Sequence, residues 1–200
     1  MKIAAAILLN FSLLLHTSFT YKTVSNTTID VTTATDTASR KVKPKAMSFP
    51  VPAVANKLFY IQRDPNTNTI IYDLNVDNKG QLDTDNPVHP YWIKYNEKGQ
   101  KEELNFIQRK FAYGVVTKPL DNGKFDVRLV SYKKYPLSLM KSATDNKYHI
   151  YATIGKKEAI VTRIFVRIDG GTFWIPNVLY VEVKGNDPIT GKEVIERFKP

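Results

Sequence analysis

Apolar and polar residues alternate most regularly between Ile160 and Lys184, and this stretch predicts the centre of the fold. In its first arm, isoleucine, threonine and valine at even positions 160–168 fall on one side, with valine, arginine and phenylalanine at odd positions 161–167 on the other. A period of two residues is typical of a strand with one buried face. Asp169–Gly171 contains residues that tolerate positive φ and predicts a tight turn before a second strand over Val178–Lys184. The pattern therefore predicts a central antiparallel ribbon.

Shorter segments with strand composition or alternation follow the same logic along the rest of the chain, separated by Gly, Pro and Asn turns. They cover residues 58–63, 69–76, 91–95, 115–118, 125–132, 137–140, 147–154 and 193–198. Together with the ribbon they give about nine or ten short strands, a spacing typical of an antiparallel barrel or a sandwich. We expect a mainly β domain and slightly favour the barrel.

One segment, about residues 102–113, has the periodicity of a helix. Leu104, Ile107 and Phe111 are spaced at i, i+3 and i+7, acidic residues stand at its start, and Gly114 suits its end. A strand is the alternative interpretation of the same residues. In the barrel interpretation this helix lies across one opening.

The first 20 residues have the pattern of a secretory signal. Lys2 precedes an apolar run over Ile3–Leu15, and a small, polar exit ends at Thr20. The run is short for a membrane span, so cleavage near Tyr21 is expected to leave no transmembrane segment. An uncleaved anchor is the alternative. We expect an exported protein, periplasmic or extracellular.

Residues 21–56 have the composition of a disordered tether that precedes a single domain over residues 57–200. They are rich in Thr, Ser and Pro and hold too few large apolar side chains to offset the entropy of ordering. Asp36-Thr37-Ala38 resembles the acceptor triplet of some bacterial envelope O-glycosylation systems. In a Thr-rich segment, a chance match at Thr37 is the alternative.

The amino-acid composition excludes several classes of function. The chain has no cysteine, which excludes disulfides, thiolate catalysis and Cys-ligated zinc. The net charge is +10, but basic residues alternate with acidic ones, so no dense patch predicts nucleic-acid binding. No Gly-rich phosphate loop or nucleophile elbow is present, and we expect no cofactor.

Three residues are weak candidates for acid/base chemistry. His89 follows Asp85 in a polar loop, and Asp64 lies in a turn. A histidine beside a carboxylate can act as a general base or bind a metal. A stable metal site needs three or four converging ligands, and the calcium-like run that begins at Asp73 lacks the glycine and glutamate of such loops, so no metal site is expected. A loop histidine hydrogen-bonded to a neighbour is the simpler interpretation.

Three cations lie close in sequence to aromatic residues and form the candidate ligand site. These are Arg63, Arg109 and Lys133, and Trp92 stands after the polar loop. Gathered at a barrel mouth, they would suit an anionic or carbohydrate-like ligand through charge and ring stacking. The alternative is that the rings pack in the core and the cations are exposed. We interpret Trp174 as an aromatic residue of the core or the rim.

Several runs resemble an uncharacterised family of small exported bacterial domains. They are LFYIQRDPNTNTIIYDLN, HPYWIKY, IQRKFAYGV and NVLYVEVKGNDPITGK. The resemblance covers about Lys57–Pro200 and implies export to a bacterial cell envelope and a single domain. It implies no catalytic or ligand residue.

Three hypotheses of function follow. The first is a non-catalytic envelope protein that binds a small ligand or another envelope component. The second is a cofactor-independent hydrolase of envelope polymer that uses His89 with Asp85 or Asp64. The third is a structural or assembly protein, which a large exposed apolar patch would favour.

Overall fold

Eleven strands join in one curled sheet, a half-barrel, in the computed structural model, which describes residues 48–171 and 176–200. The strands are β1 (Lys57–Arg63), β2 (Asn66–Leu74), β3 (Val88–Ile93), β4 (Lys101–Glu103), β5 (Val115–Pro119), β6 (Phe125–Leu129), β7 (Leu137–Lys141), β8 (Tyr148–Ile154), β9 (Lys157–Gly171), β10 (Pro176–Asn186) and β11 (Glu193–Phe198). The predicted mainly β class is confirmed.

The sheet is organised around β9. The main strand order is β4-β3-β2-β1-β9-β8-β7-β6-β5, with β10 paired to β9 and β11 paired to β10. One edge of β9 is shared by β8, which pairs antiparallel, and by β1, which pairs parallel. Its other edge carries β10 along most of its length. The predicted central antiparallel ribbon is therefore confirmed as β9 and β10.

A bulge in β9 breaks the alternation that the sequence shows. Val161 pairs with Gly185, but Arg163 pairs with Lys184, so one extra residue stands between the two pairs. An extra residue reverses which side chains face the core. Val161 is fully buried before the bulge, and Ile164 is buried after it. The expectation of one continuous inward face over even positions is therefore wrong.

Gly185 is required at this bulge because a side chain has no room there. A Cβ atom on Gly185 would lie 2.6 Å from the backbone oxygen of Ile160 and 2.7 Å from Cδ1 of Ile154. Distances below 3.0 Å between such atoms are not found in real structures. The close approach of β9 and β10 at their bulge thus depends on this glycine.

The turn of the ribbon lies later than predicted. The β9–β10 ladder continues until Gly171 pairs with Pro176, so Asp169–Gly171 is paired strand and not the hairpin loop. The strand accommodates Gly170 and Gly171 at φ values of 71° and 86°. Trp174 lies outside the described residues.

The helix is shorter than predicted and buries a different face. Residues 101–103 form β4, and α1 (Phe106–Gln108) begins after Asn105 and continues as a π-helical turn (Arg109–Tyr113). The Asn105 side chain accepts from the Gln108 backbone N–H at 2.9 Å, and the Gln108 side chain accepts from the Asn105 N–H at 3.0 Å. This capping box explains why the helix starts there.

The predicted apolar stripe of the helix is wrong at two of its three positions. Ile107 and Phe111 are 47% and 54% exposed, whereas Ala112 and Tyr113 are buried. The wider π turn changes the angular spacing of side chains, so residues spaced for a regular helix no longer share a face. Leu104 is buried but precedes the helix.

The inner face of the half-barrel is filled by aromatic side chains. Phe59 stacks on Tyr72 with ring centroids 4.4 Å apart, and Trp92 meets Tyr113 edge-on at 4.9 Å. The Tyr72 hydroxyl donates to the Tyr113 backbone oxygen at 2.8 Å, which ties the helical turn to the sheet. The helical segment thereby joins β4 and β5, the two ends of the strand order.

Residues just before β1 also contact the sheet. The Phe49 ring lies 5.1 Å from the ring of Phe165, and the Gln62 side chain donates to the Pro50 carbonyl at 2.6 Å. Residues Ser48–Pro200 fall in one compact unit. The predicted signal segment, Thr37 and the tether up to residue 47 lie outside the described residues. Within the described part, no helix has both the length and the apolar character to cross a membrane.

Candidate functional site

A cleft of about 640 Å³ opens where β1 and β8 begin and β2 and β7 end. We call it the mouth cleft. Small-molecule sites in proteins typically have volumes of about 300–1,000 Å³. Its lining comes from these four strands, from the loop after β2 and from the β7–β8 turn. The volume and position make it the leading candidate for a ligand site among the described residues.

The floor of the mouth cleft is apolar. Leu58 is buried in the core, and Leu74 and Leu82 pack against that core from the cleft side. The loop after β2 folds back on itself through an isolated bridge between Val76 and Leu82. Because this bridge holds two apolar side chains at the floor, the cleft can take an apolar portion of a ligand.

The rim of the mouth cleft is cationic on its β7–β8 side. Lys141 and Lys147 line it with Tyr148, and the Lys141 Nζ lies 5.4 Å from the centre of the Tyr148 ring. Lys147 has no ion pair with any residue that the structure describes. Among the described lining residues there is no carboxylate. The rim therefore presents two ammonium groups with no carboxylate in the lining, although the Asp145 carboxylate in the same turn interacts electrostatically with Lys147.

The β7–β8 turn brings both lysines to the same cleft. Lys141 and Tyr148 are ladder partners, so Lys147 stands one residue from that pair. The Ser142 N–H donates to the Lys147 carbonyl at 2.8 Å, and Asn146 adopts a left-handed φ of 57°. Asparagine tolerates that conformation better than most residues. The local sequence thus builds a tight turn with a lysine at each end.

Lys57 and His149 also line the mouth cleft, but both have other partners. The Lys57 Nζ donates to the Pro52 carbonyl and lies 5.2 Å from the centre of the Tyr60 ring. His149 Nε2 lies 2.8 Å from a carboxylate oxygen of Asp145. The Lys147 N–H, and after it His149, hold the pKa of Asp145 below its ordinary value. The cations available to a ligand are therefore Lys141 and Lys147.

A second cleft, of about 380 Å³, lies between β3, the helical turn and β5, and we call it the seam cleft. It brings together two predicted site residues, His89 and Arg109. His89 Nε2 lies 2.8 Å from Oε2 of Glu103, and Arg109 Nη2 lies 3.7 Å from the same oxygen. Burial raises the pKa of Glu103, but His89 and Lys101 outweigh burial and hold it below the ordinary value.

A second carboxylate stands on the other side of His89. Asp73 is the ladder partner of His89, and one of its oxygens accepts from the Tyr91 hydroxyl at 2.8 Å. Its other oxygen is buried with no hydrogen-bond partner among the described residues. Burial raises the pKa of Asp73, although Tyr91 and Lys101 oppose that shift. This arrangement places a partly buried second carboxylate on the strand next to His89.

The two acidic residues that sequence reasoning paired with His89 lie elsewhere. Asp64 follows the far end of β1 and forms an ion pair with Arg167. Lys57 pairs with Asp73, which pairs with His89, so these three residues lie in one row across the sheet. Asp64 is seven residues along the chain from Lys57, which places it about 20 Å from that row. Asp85 is exposed, and its N–H donates to Asp83 at 3.0 Å. The carboxylate that contacts His89 is Glu103.

The four predicted ligand residues are not gathered at one opening. Arg63 and Trp92 meet inside the core on Tyr113, at 6.0 Å and 4.9 Å from its ring centre. Arg109 lines the seam cleft, and Lys133 is exposed between β6 and β7. The aromatic rings lie in the core, and two of the cations lie at the surface. This is close to the alternative interpretation, in which the rings are buried and the cations are exposed.

Sequence reasoning missed the lysines of the mouth cleft, although a signal was present. The run from Lys141 to Tyr148 places a lysine on each side of a turn between two predicted strands. Residues at the two ends of a hairpin turn are neighbours in space. In the described part of the chain, no group of three or more His, Asp or Glu side chains is arranged to hold a metal ion.

Comparison with known proteins identifies the family of this chain. A family model described as Domain of unknown function (DUF4833) matches residues 59–197, which is more than half of the chain, so the chain belongs to this family. The resemblance to an uncharacterised family is thus confirmed, while bacterial origin and export stay predictions. No curated protein and no solved structure matches.

Proposed function

We propose that this family member is an exported, non-catalytic protein of the cell envelope that binds a small anionic ligand in the mouth cleft. The observation that carries the proposal is the pairing of Lys141 and Lys147 with an apolar floor and no carboxylate in the lining. Opposite charge in the ligand would neutralise the two ammonium groups, and the floor would cover its apolar part.

The electrostatics favour a ligand that sits inside the cleft. At physiological salt, charges in solvent are screened beyond about 8 Å, so the lysines act mainly on groups that enter the cleft. The Tyr148 ring beside Lys141 adds a flat surface for stacking. These features together suit a compact molecule with one acidic group and a ring or short apolar body.

Export is supported by the pattern of the first 20 residues, with Lys2, the apolar run and the polar exit before Tyr21. N-terminal sequencing of protein recovered from outside the cytoplasm tests it. We expect a mature chain that starts near Tyr21. An intact Met1 on the exported protein would contradict cleavage.

Fluorescence titration with two probes tests the binding proposal. Anilinonaphthalene sulfonate is apolar and anionic, and N-phenylnaphthylamine is its neutral relative. We expect the sulfonate to bind more tightly, and the double variant Lys141→Gln/Lys147→Gln to weaken its binding roughly tenfold, because two charge contacts of about 0.5–1 kcal/mol each are lost. Binding of the neutral probe should change little.

Two matched controls separate the mouth cleft from other surfaces. Lys133→Gln/Lys134→Gln removes the same charge from the exposed β6–β7 loop, at the other end of β7, and should leave sulfonate binding unchanged. Phe106→Ser/Phe111→Ser removes exposed rings that could bind the probe nonspecifically, and it too should change little. An equal loss in the loop-lysine control would show that net charge, and not the cleft, attracts the probe.

The seam cleft favours a second candidate, the cofactor-independent hydrolase. Glu103 at 2.8 Å can orient the His89 ring, and an oriented histidine can accept a proton from an attacking water. Incubation with purified envelope polymer, followed by chromatography of released fragments, tests it. Fragment release by the native protein that His89→Gln abolishes would favour the hydrolase; no release by either would favour the binding protein.

A further inference from the structure

Amide side chains line the rim of the mouth cleft together with the two lysines. Asn56 stands just before β1, Gln81 lies in the loop after β2, and Asn146 lies in the β7–β8 turn, so the amides come from separate segments of the rim. None of these side-chain amides has a hydrogen-bond partner among the residues that the structure describes. An amide carries N–H donors and a carbonyl acceptor, so the rim offers both kinds of group to a ligand.

Backbone hydrogen bonds hold each of these amide-bearing residues in place. The Asn56 carbonyl accepts from a β2 N–H at 2.9 Å. The Gln81 N–H donates to a carboxylate oxygen of Asp77 at 2.9 Å, and the Gln81 carbonyl accepts from the Asp77 N–H at 2.9 Å. The Asn146 N–H donates to the Ser142 carbonyl at 3.0 Å. A ligand that uses the amides therefore has to order side chains and not backbone, which lowers the cost of binding.

An aromatic face and an apolar floor lie beside these polar groups. The Tyr148 ring lines the cleft next to Lys141, and Leu74 and Leu82 pack at the floor. A hydrocarbon ligand would cover the amides without replacing their hydrogen bonds to water, which costs free energy. The C–H groups of a sugar ring instead pack on an aromatic face, while its hydroxyls need donors and acceptors around them. The lining therefore matches a ligand with apolar faces and a polar edge.

We infer that the ligand of the mouth cleft is an acidic sugar, a pyranose ring that carries one anionic group. The inference rests on the proposed function, because it names the ligand of the same cleft. The two rim lysines bind the acidic group, and Tyr148 packs on one face of the ring. The amides of Asn56, Gln81 and Asn146 bind the hydroxyls. Because different residues recognise the charge and the hydroxyls, each contribution can be removed separately.

Ligand-observed NMR with matched probes tests the inference. Glucuronate and glucose 6-phosphate are acidic sugars with a carboxylate and a phosphate, glucose lacks the charge, and cyclohexanecarboxylate lacks the hydroxyls. We expect at least one acidic sugar to bind the native protein roughly tenfold more tightly than glucose, through its charge contacts, and several-fold more tightly than cyclohexanecarboxylate, through its hydroxyls. The same sugar should displace anilinonaphthalene sulfonate, which would place it in the mouth cleft.

Variants of the exposed amides test recognition of the hydroxyls. Gln81→Met keeps the side-chain length and removes the amide, and Asn146→Gly removes an amide while the left-handed backbone stays allowed. The double variant should weaken binding of the acidic sugar roughly tenfold, because two hydrogen bonds are lost, and should leave cyclohexanecarboxylate binding unchanged. Asn122→Gly, the same change at a left-handed asparagine that does not line the cleft, should alter neither.

The outcomes separate this inference from the proposed function. If Lys141→Gln/Lys147→Gln weakens sulfonate binding but neither acidic sugar binds more tightly than glucose and cyclohexanecarboxylate, the inference is overturned and the anion-binding function stands. Native affinity for the acidic sugar in Gln81→Met/Asn146→Gly would also overturn the inference alone. If the lysine variant weakens binding of neither the sulfonate nor the sugar, both are overturned. Binding of an acidic sugar that requires the lysines and the amides supports both.

Discussion

Replacing Arg63 by methionine should stabilise the ligand-free protein, and this expectation follows from its burial. The guanidinium is 5% exposed and two of its nitrogens have no partner among the described residues. A methionine of similar length fills the same apolar space and removes both unpaired nitrogens, while the Tyr113 hydroxyl stays without an ordinary partner among the described residues. Most substitutions of buried residues destabilise a protein, so a gain in stability here would be diagnostic.

The expected size of the gain follows from two opposing effects. Each buried donor without a partner costs about 1–3 kcal/mol. The contact of the guanidinium with the Tyr113 ring, at 6.0 Å, returns about 0.5–2 kcal/mol that methionine would lose. Two donors cost about 2–6 kcal/mol in all, so after the ring contact is subtracted Arg63→Met should raise the free energy of unfolding by roughly 0–5 kcal/mol, or Tm by about 2–4 °C per kcal/mol for a chain of this size.

Urea unfolding followed by tryptophan fluorescence measures this difference, with Arg109→Met as the exposed control. A loss of more than about 1 kcal/mol in Arg63→Met would refute the reasoning, since it would show that the guanidinium makes stabilising contacts. A loss in both arginine variants would point to a general effect of charge.

Two other predictions test the fold. Gly185→Ala should lower the free energy of unfolding by about 2 kcal/mol or more, because its Cβ would lie 2.6 Å from the Ile160 oxygen. Gly80→Ala, with open space around it, should cost only about 1 kcal/mol for its positive φ. Equal costs of the two substitutions in urea titrations would argue against the bulge. Burial, reinforced by Glu196, raises the pKa of Tyr135 to about 12 from 10.0. The folded state favours the neutral form of Tyr135. The contribution of Tyr135 to the free energy of unfolding is therefore complete below about pH 10 and is lost as the pH rises towards 12. Urea midpoints measured across that range should fall less in Tyr135→Phe, and identical falls would contradict the shift.

Most of the sheet was predictable from local patterns, and the departures have local causes. Phe125, Val127 and Leu129 alternate in sequence and are all buried as expected, because β6 is regular. β9 departs from its pattern because the bulge depends on the fit of Gly185 against another strand, which alternation within β9 does not encode. Phe111 departs because a π turn changed the helical spacing.

The candidate sites were less predictable because they depend on how the sheet curls. Arg63 and Trp92 are separated by two strand positions in the sheet, and their contact with Tyr113 requires the helical turn to pack on the inner face. Nothing in the local sequence predicts that packing. Lys141 and Lys147, by contrast, lie at the ends of one hairpin turn, so their proximity was readable from the turn itself.

Charge reversal in the mouth cleft tests the central claim most directly. The measured quantity is the affinity of anilinonaphthalene sulfonate divided by that of N-phenylnaphthylamine, in the native protein and in Lys141→Glu/Lys147→Glu. Because two attractive contacts become repulsive, the ratio should fall at least about tenfold, while the unfolding midpoint stays close to native since both lysines are exposed. An unchanged ratio in a folded variant would contradict ligand binding at the mouth cleft.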